Sequence, residues 1–251
     1  EMNMCQSEDL SEFVNTSLVD RLVKKIRTNI YTGKYPAGKK LIVRELSEEF
    51  CVSHTPIKDA LNRLVAEGYV EAPPRKSMVV RTYTNAEIID ALLARLMCEI
   101  FCADVIIEQA GKHPEIVEEM QDLLKIMQDM LSDYSHLEHE NWVKSETSFH
   151  RCYMKYCGDA QIYRFYKELD TNKTTYFAYL DANHSPLKQS TLECNLIEHR
   201  AIADAIAALD TKRLINAVIR HITRACDDYA TDEECKNKLN RLLQIRARYE
   251  T

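Results

Sequence analysis

Apolar residues in the first part of the chain recur at the spacing of an amphipathic helix. The recurring positions are Leu18, Leu22, Ile26 and Ile30. Because this spacing places the apolar side chains on one helical face, we expect a first helix that ends near residues 32–33. A shorter helix is expected over residues 43–50. A third should begin after Ser53, a residue suited to cap a helix, and Pro56 falls in its first turn, where no helical hydrogen bond is lost.

The pattern changes after the third helix. Gly68 is expected to end that helix as its C-cap, and residues 69–72 and 78–81 read as two short strands around a turn with a basic tip. Three helices followed by such a hairpin predict a winged helix-turn-helix. On the third helix, His54, Lys58 and Asn62 share a polar face of hydrogen-bonding side chains, which suits a DNA major groove.

The remainder of the chain returns to helical spacing almost to its end. Thr84 and Glu87 have the spacing of a capping box, so a new helix should begin directly after the hairpin. We expect six or seven helices, with interruptions near residues 111–114, 158–159 and 183–186. The predicted fold is mainly α, with an N-terminal winged helix-turn-helix and a C-terminal all-α antiparallel helical bundle. The expected boundaries are an extension at 1–14, the winged domain at 15–83 and the helical domain at 84–251.

Charge is distributed unevenly along the chain. Residues 15–84 hold 13 Lys and Arg against 7 Asp and Glu, a net charge of +6, which leaves −12 for the rest of a chain whose total is −6. A basic module joined to an acidic one is typical of a DNA-binding domain with a separate regulatory part, since DNA affinity rests on neutralised phosphates.

Composition narrows the cellular context. No stretch approaches the ~20 apolar residues that a transmembrane helix needs, and residues 1–15 are acidic and polar, unlike a signal peptide. The nine cysteines are scattered and form no CxxC motif. We therefore expect a cytoplasmic protein with reduced thiols and no membrane partner. Cys98 and Cys102, one helical turn apart, suit either a thiol switch or two buried thiols, and the second is favoured.

Four residues of the helical domain have the chemistry of a metal site. Glu146 and His150 are four residues apart and share a helix face, while His199 and His221 lie on two further predicted helices. Three imidazoles and a carboxylate that can all face the interior of a bundle match the ligands of a divalent transition metal. Ordinary interior or surface histidines remain the alternative.

The first domain resembles the DNA-binding domain of the GntR family. The resemblance lies in residues 33–38 (GKYPAG), 52–61 (VSHTPIKDAL) and 67–70 (EGYV). It implies DNA contacts from Arg44, His54, Thr55, Lys58, Lys76 and Ser77. His54 and Lys58 stand where the family usually has Arg, and Ser77 where the wing usually has Gly. Because Lys lacks the planar fork that binds guanine, the usual operator sequence is not assumed.

The second domain resembles the FCD domain, the effector domain of the FadR-like branch of that family. The resemblance lies in residues 146–150 (ETSFH), 198–206 (EHRAIADAI), 221–222 (HI) and 95–99 (RLMCE). It implies a divalent metal, zinc, nickel or manganese, held by Glu146, His150, His199 and His221. Glu146 replaces the usual Asp. It also implies that Arg95 lies near the cavity, where it could bind a small organic acid.

These features favour a ligand-responsive transcription regulator, a repressor of metabolic genes, over two alternatives. We expect a homodimer on two-fold operator DNA, because one recognition helix reads too few base pairs for genomic specificity. A metal-dependent hydrolase fused to a DNA-binding module is the first alternative, but no separate general base is evident. An architectural nucleoid protein is the second, and the polar cluster in the acidic domain argues against it.

Overall fold

A computed structural model describes residues 17–31, 33–169 and 188–247 of the chain. The chain divides into two compact units, with the division between Thr82 and Tyr83. None of the described helices is both long enough and apolar enough to cross a lipid bilayer.

The first unit contains three helices and a small antiparallel sheet. The helices are α1 (Leu18–Tyr31), α2 (Val43–Phe50) and α3 (His54–Ala66), and the strands are β1 (Lys40–Leu41), β2 (Val70–Glu71) and β3 (Met78–Val80). β3 lies between β1 and β2, with Lys40 opposite Val79 and Val70 opposite Val80. The predicted hairpin is present, and β1 adds a strand that the sequence pattern did not predict.

Apolar residues of α1 and α3 form the core of this unit. Ile26, Ile57 and Leu61 are completely buried, which is the packing that the helical spacing predicts. Ser53 occupies the N-cap of α3 in an extended conformation, but its side chain makes no capping hydrogen bond. The C-cap of α3 is Glu67, and Gly68 follows it with a φ of +77°, so the glycine lies one residue beyond its predicted position.

The second unit is entirely helical in the described residues. Its helices are α4 (Asn85–Phe101), α5 (Ala103–Ala110), α6 (Glu115–Ser132), α7 (His139–Met154), α8 (Ala160–Glu168), α9 (Gln189–Ala207), α10 (Thr211–Asp227) and α11 (Glu233–Ala247). A short 3₁₀ turn, Tyr134–His136, lies between α6 and α7. The described part of the unit thus holds eight α-helices rather than the six or seven expected. The break between α4 and α5 falls at Cys102, where no Gly or Pro marks it.

Local sequence accounts for how α4 begins. The Thr84 hydroxyl accepts a hydrogen bond from the Glu87 backbone N–H, and the Glu87 carboxylate accepts one from the Thr84 backbone N–H, so the predicted capping box is present. The expected interruptions near residues 111–114 and 158–159 lie between helices. The one near residues 183–186 lies outside the described residues. Trp142 is buried in the core of this unit.

Candidate metal centre and nucleic-acid interface

Three helices of the second unit bring the four predicted metal ligands together. Glu146 and His150 come from α7, one turn apart, while His199 comes from α9 and His221 from α10. Each of the four residues is at most 2 % exposed. One ligand atom from each residue can be chosen so that all four lie within 4.8 Å of one another.

The carboxylate of Glu146 lies next to all three imidazole rings. Its Oε1 is 3.2 Å from His199 Nε2, 3.7 Å from His221 Nε2 and 3.8 Å from His150 Nε2. His150 Nε2 and His199 Nε2 are themselves 3.0 Å apart. The second oxygen, Glu146 Oε2, is buried and has no hydrogen-bond partner within the part of the chain that the structure describes. Three Nε2 atoms and one carboxylate oxygen therefore converge.

In His150 and His221, the hydrogen-bond partners of the outer nitrogen, Nδ1, determine which ring nitrogen carries the hydrogen. His221 Nδ1 lies 2.9 Å from the Glu198 carboxylate, which also accepts Arg224 Nε–H through both oxygens, at 2.7 and 2.9 Å. His150 Nδ1 lies 2.8 Å from the Tyr153 hydroxyl, which donates its own hydrogen to Glu99 Oε2. In both cases Nδ1 must be the donor, so the lone pair of Nε2 faces the cluster.

Burial fixes the protonation of the cluster. It lowers the pKa of His150 to about 3 and the pKa of His221 well below its usual value, so both rings are neutral near pH 7. Burial alone would raise the pKa of Glu146, but the interaction with His199, 3.2 Å away, is the largest of the effects that lower this pKa well below its usual value. The neutral rings of His150 and His221 thus lie beside an ionised carboxylate in a dry interior.

This donor set fits a divalent transition metal. Neutral imidazole nitrogens and a carboxylate oxygen are ligands of zinc, nickel and manganese, and ligands about 2.0–2.2 Å from one ion lie roughly 3–4 Å from each other. The Nε2 lone pair of His221 and the Glu146 carboxylate repel each other, and a divalent cation between them would turn that repulsion into attraction. The residues that would hold such an ion are Glu146, His150, His199 and His221.

Arg95 on α4 also reaches the cluster. It is buried, its Nη2 contacts His150 Nε2, and its Nε donates to Glu99 Oε1 at 2.8 Å. Glu99 also accepts hydrogen bonds from the hydroxyls of Tyr153 and Tyr166, at 2.6 and 2.7 Å. Burial would raise the pKa of Glu99, but Arg95 beside it outweighs this and the pKa falls below its usual range. Glu99 therefore neutralises Arg95 and occupies one edge of its guanidinium fork.

Sequence reasoning assigned no role to four residues that hold the cluster. They are Glu99, Tyr153, Tyr166 and Glu198. The spacing of Arg95 and Glu99 along one helix was the available signal for their ion pair. His150 and Tyr153, three residues apart on α7, have a similar local spacing, whereas Glu198 and His221 lie on different helices and leave no such signal.

The residues predicted to contact DNA lie at the surface of the first unit. Arg44 is at the start of α2 with 76 % of its side chain exposed, 3.7 Å from Glu48. His54, Thr55 and Lys58 are exposed along the first two turns of α3. Lys76 and Ser77 are exposed in the turn between β2 and β3. Lys58, Asn62 and Ser77 line one groove of about 280 Å³, which joins α3 to the hairpin.

The cysteine pair predicted on α4 is buried. Cys98 lies within α4, and Cys102 is the residue at which that helix ends. Burial raises the pKa of the Cys102 thiol to about 12 and also raises that of Cys98. Protonated thiols are weak nucleophiles, and this environment disfavours a thiol switch.

Comparisons with known proteins agree with these two units. The model of "Bacterial regulatory proteins, gntR family" matches residues 18–80, and the FCD domain model matches residues 90–224, more than half of the chain. The chain is 25 % identical to the uncharacterised HTH-type transcriptional regulator BphR of Paraburkholderia xenovorans over 82 % of both proteins. It is 23 % identical to the HTH-type transcriptional repressor GlaR of Escherichia coli, over 78 % of this chain and 89 % of GlaR.

A solved structure shares the fold. The structure of E. coli McbR/YncC covers 86 % of this chain and 98 % of its own, with a TM-score of 0.63 and 16 % identity. The proteins to which the chain is similar are transcription regulators and not enzymes, which removes the hydrolase alternative. The chain therefore belongs to the GntR family of DNA-binding transcription regulators, in the group whose winged helix-turn-helix is followed by an FCD domain.

Proposed function

We propose that this chain is a metal-containing, effector-responsive repressor that acts in the cytoplasm on genes of metabolism. The observation that carries the proposal is the convergence of three imidazole nitrogens and the Glu146 carboxylate in the interior of the second unit. Burial leaves Glu146 Oε2 without a hydrogen-bond partner among the described residues, which is unfavourable, and a cation at the cluster would satisfy it. Repression is supported by the description of the relative GlaR as a repressor.

The effector is a small organic acid bound beside the metal. Arg95 contributes one positive charge, which Glu99 offsets, and a divalent ion would exceed the single charge of Glu146 by one. A buried site with one net positive charge favours a monoanion. A carboxylate could fill an open coordination position of the ion, while Arg95 donates hydrogen bonds from the nitrogens that Glu99 does not use.

The metal part of the proposal is tested by loading protein stripped with a chelator. We expect close to one zinc, nickel or manganese ion per chain by elemental analysis, and loss of binding in His199→Ala. His136→Ala is the matched control, because His136 is 82 % exposed and lies outside the cluster. A wild-type protein that takes up none of the three ions would refute the metal site.

The effector part is tested by calorimetry with hydroxy, keto and sugar acids on metal-loaded protein. We expect a monocarboxylate whose affinity falls at least tenfold when the metal is removed and again in Arg95→Gln. The same acid should change binding to a DNA fragment that the protein selects from a random-sequence library, since an effector regulates only by binding the DNA-competent and incompetent states unequally. An acid that changes DNA binding but is indifferent to metal and to Arg95 would place the effector site elsewhere.

The regulator works as a homodimer on two-fold DNA, because one recognition helix contacts too few base pairs for genomic specificity. An exposed apolar pair supports a partner surface on the second unit: Met97 and Phe101, one turn apart on α4, are 68 % and 77 % exposed. Analytical ultracentrifugation should show a dimer that Phe101→Glu dissociates. Ile126→Glu on α6, where Ile126 is 47 % exposed, is the control that should remain dimeric. A monomeric wild type would contradict this part.

A further inference from the structure

The three histidines of the cluster are held differently at their outer nitrogens. His221 Nδ1 donates to a carboxylate, that of Glu198, at 2.9 Å. His150 Nδ1 donates to a neutral hydroxyl, that of Tyr153, at 2.8 Å, and lies farther, at 3.4 Å, from the Glu99 carboxylate. His199 Nδ1 is buried and has no hydrogen-bond partner among residues 17–31, 33–169 and 188–247. The rings therefore differ in the acceptor that lies against Nδ1.

This difference changes how strongly each ring donates electrons. An imidazole that gives its Nδ1 hydrogen to an anionic acceptor becomes a stronger base at Nε2, and its tautomer and orientation are both fixed. A neutral hydroxyl polarises the ring less than a carboxylate does. His199 has no Nδ1 acceptor among the described residues, so neither its tautomer nor its orientation is fixed in this way. His221 Nε2 is consequently a stronger electron donor than His199 Nε2.

Glu198 is itself held firmly in place. It is 8 % exposed, and both of its oxygens accept from Arg224 Nε. Arg224 Nη2 also contacts Asn195 Oδ1. Glu198 and Asn195 are three residues apart on α9, while His221 and Arg224 are three residues apart on α10, so each pair shares one helix face. The two neighbouring helices thus place the carboxylate against the outer nitrogen of His221.

We propose that Glu198 is a positioning residue for His221, which sets the metal affinity of the cluster although it is not a ligand. Its carboxylate keeps the hydrogen on Nδ1 and directs the Nε2 lone pair of His221 toward Glu146. The proposal rests on the metal site proposed above, but the tautomer of His221 is measurable without any metal.

The test combines two measurements on the full chain. Long-range ¹H–¹⁵N spectra of protein labelled at histidine report which ring nitrogen carries the hydrogen, and competition with a chromogenic chelator gives the Zn²⁺ affinity. We expect the Nδ1–H form of His221 in the wild type. Glu198→Ala should lose this preference and weaken Zn²⁺ binding by roughly 10- to 100-fold. Glu198→Gln keeps an oxygen acceptor of the same shape, so it should keep the tautomer and lose less affinity.

Two further variants separate this role from general stability. Tyr153→Phe removes the neutral acceptor of His150 and should cost less Zn²⁺ affinity than Glu198→Ala. Glu193→Gln changes an exposed carboxylate on the same helix and should change nothing. Equal Zn²⁺ binding by wild type and Glu198→Ala would overturn the positioning role alone. Failure of the wild type to bind Zn²⁺ would overturn it together with the metal site.

Discussion

The first unit carries its predicted functional side chains in solvent, whereas the second carries them in its interior. Arg44, His54 and Lys58 are exposed on α2 and α3, while Glu146 and His199 are at most 2 % exposed. Exposed side chains are hydrated in both the folded and the unfolded protein, so replacing them changes the free energy of unfolding little. Buried polar groups must be paired for the fold to be stable. Substitutions should therefore affect binding alone in the first unit, and both binding and stability in the second.

The largest expected loss of stability comes from the ion pair behind the cluster. Glu99→Gln removes the charge that neutralises Arg95 and leaves a buried guanidinium unpaired, so the free energy of unfolding should fall by about 3–5 kcal/mol. Urea denaturation of chelator-treated protein measures this loss. Glu108→Gln is the matched control, because Glu108 and Lys112 form an exposed ion pair with the same i, i+4 spacing, and should leave the midpoint unchanged. Equal urea midpoints for Glu99→Gln and Glu108→Gln would show that the buried and the exposed ion pair contribute alike to stability.

Metal binding should give the next largest effect. An ion that binds the folded protein and not the unfolded chain stabilises it by about 2.7 kcal/mol when its concentration is 100 times the dissociation constant. We expect Zn²⁺ to raise the melting temperature of the wild type and of His136→Ala, but not that of His199→Ala. Each variant is compared with itself, with and without Zn²⁺. The destabilisation caused by the cavity of the missing ring is present in both measurements and does not affect the difference. A Zn²⁺-dependent rise in His199→Ala would remove this histidine from the ligand set.

A surface hydrogen bond of the second unit should matter less than its buried groups. Thr84→Ala removes the hydroxyl that accepts from the Glu87 backbone N–H, and should lower the free energy of unfolding by about 1 kcal/mol. Thr84→Ser keeps a hydroxyl and should restore most of the stability. Thermal denaturation of the three proteins checks the order. If Thr84→Ala lowers the free energy of unfolding as much as Glu99→Gln does, then burial does not distinguish the surface hydrogen bond from the buried ion pair.

The sequence predicted the framework of both units better than it predicted the contacts inside them. The amphipathic spacing of α1 and the capping box at Thr84 are local signals, and the structure confirms both. Strand β1 is two residues long and pairs with β3 some forty residues away, so no periodicity could indicate it. The residues of the cluster also divide into those with a local sequence signal and those brought together only by folding. Glu146 and His150 share a helix face by spacing, whereas Glu198 reaches His221 only because α9 and α10 pack together.

The smallest effect on stability is expected at the DNA-reading surface. Lys58→Ala and Arg44→Ala remove exposed cations, and their unfolding midpoints should match that of the wild type. Their affinity for a DNA fragment selected from a random-sequence library should fall. If each side chain contacts one phosphate, the slope of log affinity against log salt should become shallower by about 0.9 per variant. Lys112→Ala, an exposed lysine of the second unit, is the control for loss of charge alone. Fluorescence anisotropy over a range of salt concentrations gives both quantities. Wild-type affinity and slope in both variants would show that α2 and α3 do not present the DNA-reading face. The exposed side chains of the first unit would then not be its functional ones, and the contrast with the second unit would fail.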